Sequence, residues 1–186
     1  MAEHVCPVWV GYLLASPVRR LFQNPKKILG PYVNRGMKVL DIGCAMGFFS
    51  LPLAELVGSD GKVICVDVQE KMIASLKKRA RKAGLSDNIE ARICSSGSFG
   101  LADLQEQIDF VAAIAVVHEV PDAASFFSEV YATMKPGGRL LVAEPKGHVS
   151  QEDFESTLST ATQAGFAALD QPRINRSRAV LLGKGA

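Results

Sequence analysis

From Met37 onward, short apolar runs alternate with amphipathic patterns, and this alternation restricts the fold more than any other feature of the chain. "MKVLDI" reads as a first strand, "FFSLPLAELV" as a helix, and "KVICVD", after the turn "GSDG", as a second strand. "QEKMIASLKKRARKA" carries Met72, Ile73 and Leu76 at helical spacing, with Gly84 placed to end it. "IEARIC" and the continuously apolar "IDFVAAIAVV" supply strands three and four. Asp122 is positioned to cap "AASFFSEVYATM", which should stop before a "KPGG" turn leading to a fifth strand, "RLLVAE". Ser150 and Asp153 form the pattern of a capping box for a last helix ending at Gly165. "FAALDQ" and "AVLLGK" are then spaced as a hairpin. Strands alternating with helices imply an α/β fold: a doubly wound, mostly parallel, seven-stranded sheet with helices on both faces and a C-terminal antiparallel hairpin.

The 186 residues suit one domain, and residues 1–35, which do not follow the alternation, read as an N-terminal cap on a domain spanning 36–186. Within that cap, Asn24-Pro25 marks a helix start and Gly30-Pro31 its end. No apolar run is long enough for a membrane span. The opening "MAEHVCPVWVGYLLASPVRR" carries an early acid and interrupting Pro and Gly, unlike a secretory leader, so a cytoplasmic location is expected. Cys6, Cys44, Cys65 and Cys94 are scattered without a CxxC pair, which favours reduced thiols and no metal site. A net charge of +2 is too mild to imply nucleic acid. The one basic cluster, "KKRARK", falls late in a helix, where cations complement the helix dipole; a solvated helix end is favoured over a phosphate site.

In a doubly wound sheet, ligands bind beyond the carboxyl ends of the strands, so the loop after the first strand belongs to the site. That loop reads Asp41-x-Gly43-x-Ala45-x-Gly47. A dinucleotide fingerprint would need a small residue at position 48, where Phe48 stands, and no GK[ST] follows to make a P-loop. Asp67 ends the second strand at the distance expected for a ribose-binding acid. Asp41 suits a ligand with a cationic group rather than a pyrophosphate.

With these residues in place, the chain resembles class I S-adenosylmethionine-dependent methyltransferases. "VLDIGCAMGFFS" is similar to their first motif and "VICVDVQEKMI" to their second-strand motif. "IDFVAAIAVVHEVPD" and "MKPGGRLLVAEP" resemble their fourth- and fifth-strand segments. The resemblance runs from about Met37 to Gly183 and leans toward the branch containing quinone-biosynthesis and arsenite methyltransferases. It implies a Rossmann-like fold, S-adenosyl-L-methionine as cofactor and a small-molecule acceptor. A cofactor-binding module without catalysis is the alternative, and a homo-oligomer supplying a lid from another subunit is left open.

Carried over by position, the resemblance puts Gly43, Cys44, Ala45 and Gly47 under the methionine moiety and Asp41 near its ammonium. Asp67 would take the ribose hydroxyls, Val68 would lie against the adenine, Ser95 and Ser96 would read its edge, and Ala115 would line the floor near the sulfonium. Two departures stand out: Ala45 replaces a glycine, and an acid often found after the third strand is missing, with Ser95 as a neutral substitute. Methyl transfer needs alignment first, and a base only if the nucleophile carries a proton. Candidate catalytic residues are His118 and Glu144 at the carboxyl edge, and Tyr12 in the cap as a closing residue. For each, a structural role is the competing reading.

Overall fold

A computed structural model describes residues 23–95 and 97–185. Tyr12, Trp9, Cys6 and Ser96, and with them most of the expected cap, lie outside the described residues. Among those described, five helices and seven strands follow in order. They are α1 (Pro25–Leu29), β1 (Lys38–Ile42), α2 (Ser50–Val57), β2 (Lys62–Asp67), α3 (Glu70–Ala83), β3 (Ile89–Ile93), β4 (Ile108–Ile114), α4 (Ala123–Thr133), β5 (Met134–Pro145), α5 (Gln151–Gln163), β6 (Ala167–Asp170) and β7 (Ser177–Gly183).

The sheet order is β3-β2-β1-β4-β5-β7-β6. Pairing is parallel from β3 through β5, and β7 runs antiparallel to both β5 and β6. The hairpin is as expected: β7 slots in beside β5 and leaves the short β6 as the edge. Strand order reverses between β1 and β4, so a crevice is required at their carboxyl ends.

Alternate residues of each central strand feed two separate cores. Leu40, Ile42, Ile64, Val66, Val111 and Ala113 pack under α4 and α5, whereas Val39, Val63, Cys65, Phe110 and Ala112 pack under α1, α2 and α3. This two-sided burial is why these strands read as continuous apolar runs. Tyr32 stacks on Phe110 at 5.9 Å, which ties the segment after α1 to the sheet.

Local signals set the helix ends. Asn24 Oδ1 accepts from the Lys26 and Lys27 amides, and Asp122 Oδ1 from those of Ala124 and Ser125. Ser150 and Asp153 complete their capping box. Gly84, at φ 70°, ends α3 in the left-handed conformation that glycine adopts freely. Leu76, fully buried on α3, stabilises that helix's docking by about 2 kcal/mol.

Several boundaries differ from the sequence reading; β7, for example, begins at Ser177 rather than Ala179. The fourth strand ends at Ile114, not Val117, because Ala115 turns to φ 58° and the chain then enters a 3-10 turn at Val117–Glu119. The second helix begins at Ser50, two residues later than expected. "KPGG" is not a turn before β5 but lies inside it: Met134 pairs with Ile108 and Arg139 with Phe110, so residues 135–138 bulge opposite Asp109. A Cβ on Gly138 would meet the Lys135 carbonyl at 2.8 Å, so the bulge needs glycine there. No helix among the described residues is long and apolar enough to cross a membrane.

Candidate functional site

The β1–α2 loop is built for close approach. Gly43 has φ 68°, and a Cβ there would sit 2.7 Å from Val116 Cγ2, so this loop packs directly on the loop after β4. Gly47, at φ 82°, similarly leaves room for Leu76 of α3. Between them Ala45 adopts φ 45°, the left-handed conformation that alanine disfavours. Asp67 and Arg79 hold it there: Asp67 Oδ2 accepts the Ala45 amide at 2.9 Å, and the Arg79 guanidinium donates to the Met46 carbonyl at 2.5 Å.

Asp67 Oδ1 accepts the Gln69 amide at 2.8 Å. Each carboxylate oxygen is thus fixed by one backbone donor and keeps capacity for another, the arrangement needed to take two adjacent hydroxyls. Val68, beside it, is 40% exposed, and Ile93, in register with Asp67 on β3, is 55% exposed. Two exposed apolar side chains flanking a fixed carboxylate suit a flat ring attached to a sugar. Ser95 is exposed in the following loop, with Oγ donating to the Ser98 carbonyl at 3.2 Å.

Asp41 is buried, and its Oδ2 accepts the Ser50 hydroxyl at 2.5 Å. Burial lifts its pKa to about 7, opposed by the Ser50 hydrogen bond and reinforced by the charge on Asp67. Burial also raises Asp67, against the Gln69 and Ala45 amides. Partial desolvation raises Glu119; His118 counters this, and the carboxylates of Asp67 and Glu144 add to it. Asp67 therefore repels both Asp41 and Glu119, and a cation entering among them relieves that repulsion. An anionic pyrophosphate would increase it.

At the ends of β4 and β5 lies a second group. The Glu144 carboxylate, 1% exposed, accepts the Val117 amide at 2.8 Å, the Val116 amide at 3.3 Å and a short hydrogen bond from His118 Nδ1. The bond to Glu144 raises the His118 pKa, more than partial burial lowers it. His118 Nε2 lies 4.0 Å from Glu119, and the exposed His148 ring sits edge-on to His118 with centroids 5.6 Å apart. An imidazole held through Nδ1 presents Nε2 outward, the geometry of an oriented proton acceptor. Ala115, also at left-handed φ, bridges the two groups, its amide donating to the Ala143 carbonyl at 2.8 Å.

The described candidates thus gather at the carboxyl edge: Asp41, Gly43, Cys44, Ala45 and Gly47 from β1 and its loop, Asp67 and Val68 from β2, Ser95 from the loop after β3, and Ala115, His118 and Glu144 from β4 and β5. Cys44 and Cys65 are buried thiols facing each other in the core, and this contact together with burial raises Cys44. Sequence reasoning missed the roles of Arg79, Ile93, Ser50 and Glu119. The position of Glu119 just after β4 was the available signal for it.

The sequence profile of the Methyltransferase domain family matches residues 33–175. This chain belongs to the S-adenosylmethionine-dependent methyltransferase family. A solved methyltransferase of this kind from Aquifex aeolicus superposes with TM-score 0.85 at 25% identity, over 96% of this chain and 99% of that one. A ubiquinone biosynthesis O-methyltransferase of Sinorhizobium fredii is 30% identical over 87% of this chain and 58% of its own length. An arsenite methyltransferase of Halobacterium salinarum is 33% identical over 65% of this chain and 30% of its own. The chain therefore spans between about a third and three-fifths of those two relatives. The [4+2]-cyclase SpnF shares the fold, with TM-score 0.74 at 17% identity, so fold alone leaves the reaction open.

S-adenosyl-L-methionine is the cofactor of this methyltransferase family, and the residues present fit it. The carboxylate group suits a ligand bearing ammonium and sulfonium charges, and Asp67 suits a ribose diol.

Proposed function

We propose that this chain is an S-adenosylmethionine-dependent methyltransferase whose acceptor is a small molecule carrying an ionisable hydroxyl. The His118–Glu144 pair carries this reading. When bound, the cofactor supplies an electrophilic methyl on sulfur, so the protein has to align the acceptor and remove its proton. Glu144 orients the imidazole through Nδ1, leaving Nε2 to take the hydroxyl proton as the oxygen becomes nucleophilic. Glu144 is itself fixed by the Val116 and Val117 amides, so the pair moves little. Asp67 with Val68 and Ser95 would bind the nucleoside, Asp41 and the Gly43–Gly47 loop the amino-acid end, and Ala115 would lie beneath the reacting centre.

The O-methyltransferase named above supports a hydroxyl acceptor, since its match covers most of this chain. An arsenic acceptor is less well supported, because Cys44 and Cys65 face the core rather than a ligand. The test is a product assay with methyl-labelled cofactor and a panel of phenols and enols, run beside matched amines and thiols. Label transferred to hydroxyl acceptors by wild type, and lost in His118→Gln with cofactor-product binding retained, supports the proposal. Full turnover in His118→Gln, or label only on nitrogen or sulfur, overturns it.

A further inference from the structure

We infer that Glu129, on α4, is a positioning residue for the purine end of the cofactor. It holds the loop after β3 in a binding-ready form without touching the ligand. Its carboxylate spans that loop: Oε2 accepts the Phe99 amide at 3.1 Å, and Oε1 accepts the Leu101 amide at 3.1 Å and the Ser98 hydroxyl at 3.4 Å. Ser98 passes the constraint on, since its carbonyl accepts the Ser95 amide at 3.1 Å and the Ser95 hydroxyl at 3.2 Å. Its own hydroxyl accepts the Gly100 amide at 3.1 Å. Next to Ser95, the Cys94 amide donates to the Asp67 carbonyl at 3.1 Å, so one hydrogen-bonded path joins α4 to the ribose-binding strand end.

The far end of the loop is also fixed. Arg92 makes paired 2.8 Å bonds to both carboxylate oxygens of Asp103. Leu101 is fully buried, and Phe99 packs edge-on against Phe126 of α4 at 5.5 Å. Ser95 is neutral and exposed, and a neutral hydrogen bond discriminates weakly unless its geometry is set in advance. A carboxylate collecting two backbone amides supplies that ordering before any ligand arrives.

This inference rests on the reading that the loop after β3 takes the adenine, and the experiment separates the two. Calorimetry would measure binding of S-adenosylhomocysteine and of S-inosylhomocysteine, which replaces the adenine amino group with a carbonyl. The proteins are wild type, Glu129→Gln, Ser98→Ala and Asp67→Asn. Glu129→Gln should weaken S-adenosylhomocysteine about tenfold and narrow its preference over the inosine analogue. Ser98→Ala should shift both in the same direction by less, while Asp67→Asn weakens both ligands alike. Turnover at saturating cofactor should hold in Glu129→Gln. Unchanged affinity in Glu129→Gln, or equal loss of both ligands there, overturns the role of Glu129. A wild type that does not distinguish the two ligands overturns the adenine reading and this inference with it.

Discussion

Gly43 and Val116 lie so close that no side chain fits between them: a Cβ on Gly43 would stand 2.7 Å from Val116 Cγ2. The loop after β1 is thereby locked to the loop that carries His118, so the proposed cofactor and acceptor sides share one packed edge.

Gly43→Ala should therefore destabilise the fold, by about 1–3 kcal/mol from overpacking and positive-φ strain together. Val116→Ala should restore part of the loss. Denaturant unfolding of the two single variants and the double variant gives the coupling. Additive effects would mean that the two loops are not in contact.

Ala45 works in the opposite sense. Held at φ 45°, it costs about 1 kcal/mol relative to glycine. Ala45→Gly should raise the thermal midpoint by about 2–4 °C and leave cofactor-product affinity equal or tighter. A lower midpoint would contradict the strain.

His118 and Glu144 predict a pH profile. A base must be neutral, and Glu144 raises the His118 pKa above its ordinary 6.5. Turnover should thus fall as pH drops through a midpoint above 6.5, and Glu144→Gln should move that midpoint down. His118→Gln should lower turnover about 10²–10⁴-fold and flatten the profile on this limb. The linked stability has the opposite trend with pH. With the native pKa above the unfolded one, the His118–Glu144 contribution is complete below pH 6.5 and is lost as pH rises through the native value.

Asp41 adds a second pH-dependent contribution. Its native pKa of about 7 exceeds the ordinary 3.8, so the native state holds this proton more tightly than the unfolded chain. That stabilisation is complete below pH 3.8 and is lost as pH rises to about 7. Asp41→Asn should flatten the stability–pH curve in this window while weakening cofactor binding above pH 7. Chemical denaturation at several pH values reads the first effect and calorimetry the second.

Much of this was legible in the sequence because the signals are local. The β-branched runs "KVICVD" and "IDFVAAI", the caps at Asn24, Asp122 and Ser150, and Asp41 and Asp67 at strand ends all act over a few residues. What escaped the sequence reading depends on distant partners. Arg79 reaches Met46 across 33 positions, and Glu129 reaches Phe99 across 30. The bulge at residues 135–138 reflects pairing with β4, which neither strand encodes alone. The strain at Ala45 could be suspected from its place among glycines, but only the backbone shows that the turn uses left-handed φ.

The most direct measurement is calorimetric titration of S-adenosylhomocysteine and of NAD into wild type and Asp67→Ala. The carboxylate-lined edge should bind the sulfur nucleoside, reject NAD, and lose its ligand when Asp67 is removed. Tight NAD binding, or nucleoside binding indifferent to Asp67, would contradict it.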